Sequence, residues 1–118
     1  MMRPLLPLLA AALLASTAPL AAHPSIMKVT PTVNATVKSP ADLRILFSEA
    51  VMAPLSGIAL TGPGGRAVAT GKASTAQGGR ELIVPVSGKL APGTYHAKWH
   101  IVSSDTHRVE GHFAFTVQ

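Results

Sequence analysis

The sequence predicts an all-β protein, one seven-stranded Greek-key barrel or sandwich behind a short leader. Three observations predict it. Seven short apolar or alternating runs recur along the chain, glycine, proline, asparagine and serine punctuate them, and no stretch sustains helical periodicity.

The runs, in order, are "IMKV", "LRILF", "GIALT", "RAVAT", "ELIVPV", "TYHAKWHIV" and "HFAFTV". Between them, "TGPGGR" and "AQGGR" supply glycines able to take positive φ, and "LAPGTY" pairs Pro with Gly as a tight turn requires. "SEAVMAPLSG" reads as a loop with room for one helical turn. Strand alternation assigns faces. Leu43, Ile45 and Phe47 should point to the core, as should Tyr95, Ala97, Trp99 and Ile101, and Phe113, Phe115 and Val117. His96, His100 and His112 should then be exposed.

Residues 1–22 read as a secretory signal peptide: a positive start, an apolar Leu/Ala core and the small-residue exit "STAPLAA". Pro4, Pro7 and Pro19 interrupt the run, which is short against the roughly 20 apolar residues of a membrane span. Cleavage after Ala22 would make His23 the first residue and leave residues 23–118 as one domain, exported and not membrane-spanning. The chain has no cysteine, so packing must hold this domain without disulfides. Ten Lys and Arg oppose five Asp and Glu, but beyond Arg3 the cations are scattered singly from Lys28 to Arg108. With one Trp, one Tyr and no basic cluster, nothing points to nucleic acid.

The chemistry concentrates in "SSDTHRVEG". Asp105 and His107 are two apart, so in an extended segment they project to the same side and make a pair of metal ligands. Alone, an Asp-x-His reads more readily as a surface turn with Asp105 accepting backbone hydrogen bonds. A processed His23 changes the balance, because its α-amine and ring can chelate one ion. With Asp105 and His107 they form a three-nitrogen, one-oxygen set, and such N,O coordination suits copper(II). Pro24 has no N–H to deprotonate, so the remaining ligands must come from the fold. Without cysteine a blue-copper centre is excluded.

The start "HP", the early "LRILFSEAV" and the late "WHIVSSDTHRVEGHFAFTV" together resemble the CopC family of periplasmic copper-binding, copper-resistance proteins. The likeness spans essentially all of residues 23–118, and its most specific part joins an N-terminal His to an S-x-D-x-H-x-x-x-G-x-F run. It implies a Greek-key β-barrel of cupredoxin-like or immunoglobulin-like build. It also implies copper(II) held by His23, Asp105 and His107. The "F-S-E" glutamate, Glu49, lies near that site in the family and reads equally as a solvated loop carboxylate or as a group supporting the ligands.

Some members carry a copper(I) site in a methionine-rich loop after "F-S-E"; here that stretch has only Met52, and Met27 alternates with Ile26 on the first strand. No independent copper(I) site is therefore expected. His96, His100 and His112 offer at most a weak metal cluster. The expected function is a periplasmic copper carrier or buffer without catalysis, with an inner-membrane partner of the CopD type implied by the resemblance alone. The competing reading is a copper redox enzyme. Lytic polysaccharide monooxygenases also begin with a chelating histidine, but Asp105 would occupy a position that oxygen chemistry needs open.

Overall fold

In the computed structural model, residues 2, 4 and 24–118 are described. The expected leader, apart from Met2 and Pro4, and the expected ligand His23 lie outside them.

Among the described residues nine strands follow in order: β1 (Ile26–Thr30), β2 (Thr36–Val37), β3 (Asp42–Phe47), β4 (Gly57–Thr61), β5 (Ala67–Val68), β6 (Ser74–Ala76), β7 (Glu81–Pro85), β8 (Gly93–Val102) and β9 (Arg108–Val117). They form two sheets, β1-β3-β7-β6 and β2-β9-β8-β4-β5. Every pairing is antiparallel except β2 with β9. The chain changes sheet at 31–35, 38–41, 48–56, 69–73 and 86–92, which makes a sandwich.

All seven runs read from the sequence are strands. The two additions, β2 and β6, have two and three residues. Segments that short carry no alternation to read; pairing with Thr116–Val117 and with Glu81–Ile83 makes them strands. The long strands β8 and β9 pair with each other along their whole length, while β2 covers only the last two residues of β9, Thr116 and Val117.

The expected core faces hold. Leu43, Ile45, Phe47, Leu82, Ala97 and Ile101 are fully buried. The sheets meet at an edge-to-face pair, Phe47 of β3 against Trp99 of β8, with ring centroids 5.4 Å apart. Trp99 also explains the glycine of the late motif. Gly111 stands opposite it in the register, and a Cβ there would lie 2.5 Å from Trp99 Cζ2. The indole therefore needs a residue without a side chain across from it.

The loop over 48–56 holds a single 3₁₀ turn at Ala53–Leu55. Ser56 Oγ donates to Met52 O at 2.7 Å and accepts the Val102 N–H at 3.1 Å, fastening this loop to the end of β8.

Candidate metal centre

Asp105 and His107 lie in the turn that joins β8 to β9, at the end of the sandwich where β3 also finishes. The sequence reading placed them on an extended segment. Instead the chain doubles back: Ser103 N–H donates to His107 O at 2.9 Å, and Thr106 N–H donates to Ser103 O at 2.8 Å. Thr106 takes a left-handed φ of 71°, unusual for a β-branched residue. The tight turn, not strand alternation, brings the two side chains together. His107 Nδ1 stands 3.2 Å from Asp105 Oδ2, and both side chains are about half exposed, at 47 % and 48 %. An imidazole nitrogen and a carboxylate oxygen thus face solvent side by side.

Ser103 organises the turn from below. Fully buried, its hydroxyl accepts the His107 N–H at 3.2 Å and makes a short hydrogen bond to Asp105 Oδ1. It also lies 3.3 Å from His107 O, but a hydroxyl has one proton, and the shorter contact to the carboxylate takes it. Hydrogen bonds from Ser103 and then from His107 hold the Asp105 carboxyl below the usual carboxylate range, against a smaller opposing effect of burial. The carboxylate is therefore charged well into the acid range. Ser103 belongs to the motif, yet the sequence reading gave it no role. Its signal was a Ser two residues before an Asp, a pattern that favours local side-chain hydrogen bonds.

The turn is tied to two neighbours. Ser104 N–H and its hydroxyl both donate to Ala50 O, at 3.1 and 3.2 Å, and Val51 forms an isolated bridge with Ser103. The same loop reaches the start of the domain: Ser48 N–H donates to Ser25 O at 2.8 Å, and Ser25 N–H donates to Ser48 Oγ at 2.8 Å. Pro24 is buried. Ser25, residues 48–51 and residues 103–107 are therefore linked by hydrogen bonds, with Glu49 half-buried in the middle segment.

Elsewhere the histidines lie as alternation predicts, with one difference. His96 and His112 are exposed, whereas His100 is partly covered because its ring lies against Gly57, whose missing side chain leaves room. Among the described residues no three His, Asp or Glu converge well enough to hold a metal ion. Met27 and Met52 are exposed, at 62 % and 37 %. No helix of the described residues is long and apolar enough to cross a membrane.

Residues 26–118 match the family model of the CopC domain. The chain is 38 % identical over 99 residues to Protein YobA of Escherichia coli K12, covering 82 % of this chain and 80 % of that one. It is also 38 % identical over 103 residues to copper resistance protein C of Xanthomonas campestris pv. juglandis, covering 82 % and 81 %. Among solved structures, CopC from Methylosinus trichosporium OB3b superposes with a TM-score of 0.74 at 31 % identity, over 81 % of this chain and 94 % of that one. PcoC, a methionine-rich copper resistance protein from E. coli, matches with the same TM-score and identity, over 82 % and 100 %. Fold, late motif and relatives agree, and the chain belongs to the CopC family.

Proposed function

We propose that this protein is a periplasmic copper(II) carrier or buffer serving copper homeostasis and resistance, and not an enzyme. One observation carries the reading: the turn holds an imidazole nitrogen and a charged carboxylate oxygen 3.2 Å apart and open to solvent. Without thiolates, the turn offers a cargo ion an imidazole nitrogen and a carboxylate oxygen, donor types on which copper(II) outcompetes the other divalent metals. The names of its relatives, copper resistance protein C among them, agree with that cargo.

Two donors hold an ion weakly, and the α-amine and ring of His23 supply the others once residues 1–22 are removed. Support comes from its neighbours: Ser25 is bonded into the loop that also holds Ser104, and two residues of chain reach about 7 Å. Glu49, in that same loop, steadies the site rather than binding the ion. A CopD-type protein in the inner membrane would be the recipient or donor. Oxidative chemistry on a polysaccharide is disfavoured, because the only Trp and the only Tyr are 6 % and 3 % exposed and offer no aromatic platform.

The test is the intact mass of the exported protein with and without copper(II). A chain beginning at His23 that gains one copper ion is expected. A retained methionine start would contradict the chelating terminus, and no bound copper would contradict the carrier reading.

A further inference from the structure

We propose that Ser103 is the positioning residue of the copper site, engaging one oxygen of Asp105 so that Oδ2 alone is presented to the ion beside His107. The inference rests on the copper(II) reading above.

Among the described residues, Ser103 is the one buried polar residue in a core otherwise made of hydrophobic side chains. A buried hydroxyl without partners costs about 1–3 kcal/mol, so its persistence needs a use for both its proton and its lone pairs. Both uses concern the two ligands: the proton goes to Asp105 Oδ1, and a lone pair accepts the His107 N–H. The neighbouring hydroxyls behave otherwise. Ser104 and Thr106 are exposed and donate to main-chain carbonyls, of Ala50 and of Asp105.

The carboxylate torsion of an aspartate is broad when free. Here it is held at both ends, by Ser103 on Oδ1 and His107 Nδ1 beside Oδ2. Ser103 itself cannot drift, because its backbone bridges Val51 and its N–H closes the turn onto His107 O. With Oδ1 engaged, Asp105 meets an ion through one oxygen. That suits an N,O copper(II) site and disfavours the two-oxygen grip that larger hard cations take from a carboxylate.

The experiment compares Ser103→Ala and Ser103→Thr with wild type and His107→Ala. It measures copper(II) affinity by competition, the paramagnetic resonance spectrum of the bound ion, and the melting temperature of the metal-free protein. Loss of a group that orients a ligand costs about 10- to 100-fold in metal affinity, and Ser103→Ala should fall in that range with an altered spectrum. Ser103→Thr, which keeps the hydroxyl, should restore the wild-type spectrum. A wild-type spectrum in Ser103→Ala overturns the proposal, even with a lower melting temperature, because the serine would then serve the fold alone. If His107→Ala keeps full copper binding, the site assignment fails and this inference with it. If His107→Ala loses copper while Ser103→Ala keeps affinity and spectrum, only the positioning role fails.

Discussion

The β8–β9 turn and the open face of the β4–β8–β9 sheet are built from the same kinds of residue, and they end differently. The face carries His96, His100 and His112, with Lys98 and Glu110 between them; the turn carries one histidine and one aspartate. On the face, the register sets His100 opposite Glu110 and Lys98 opposite His112. Yet Glu110 turns to Arg108 at 3.8 Å, and His100 settles against Gly57. Side chains on a flat sheet stand roughly parallel, and each finds its own neighbour. In the turn the backbone reverses, and Asp105 and His107 are aimed at one point with Ser103 beneath them. Convergence brings two donors together in the turn, and the number of histidines does not do so on the face.

The sharpest way to break that comparison is to disturb the donor that the turn lacks. Inserting one glycine before His23 in the processed protein moves the ring away from the α-amine, so the same chelate no longer closes. Copper(II) affinity should drop by about 100-fold or more in a competition titration, since one chelating nitrogen is worth several kcal/mol on this metal. An unchanged affinity would mean that the terminus is not a ligand. Asp105→Asn should do less, about 10-fold, because an amide oxygen still approaches but carries no charge.

Acidity separates the donors further. A free α-amine has a reference pKa of about 7.7–8.0 and imidazole about 6.5, so protons displace copper(II) from nitrogen donors between about pH 7 and pH 5. Asp105 is held below the usual carboxylate range, so it stays charged throughout that window. Asp42, lowered mainly by its hydrogen bond from Arg44, behaves likewise. The sign follows from that depression: any stability these two carboxylates add is complete above about pH 4 and is lost as pH falls through their folded-state pKa values. Affinity should therefore collapse on acidification while the metal-free fold, followed by circular dichroism, stays intact to lower pH. Simultaneous loss of fold and copper near pH 6 would contradict this separation.

Gly111→Ala acts on the fold, not on the donors. A methyl group driven against the Trp99 indole should destabilise by about 1–3 kcal/mol, read by denaturant unfolding, with copper(II) affinity near wild type. The smallest effect belongs to Thr106→Gly, which removes a β-branched side chain from a left-handed φ and should stabilise by up to about 1 kcal/mol.

Much of this was legible in the sequence, for reasons that differ by element. β3, β8 and β9 alternate strongly, and burial follows period two, so Leu43, Ile45 and Phe47, or Tyr95, Ala97, Trp99 and Ile101, identify their own core face. β2 and β6 were not legible, because a two- or three-residue strand exists through its partner and leaves no local pattern. Spacing also suggested Asp105 with His107, but through an extended segment. The left-handed Thr106 and the buried Ser103 hydroxyl are consequences of the fold closing on itself, which a run of letters does not display. The resemblance to the CopC family pointed to the ligand set that composition alone left open.

The comparison between turn and face is tested most directly by one paired titration of the processed protein at neutral pH. His107→Ala is set against the triple variant His96→Ala, His100→Ala and His112→Ala, both competing with a chelator for copper(II). The account predicts a loss of about 100-fold or more for the single change and less than about threefold for the triple one. A triple variant that loses copper while His107→Ala keeps it would contradict the account and move the site to the face of the sheet.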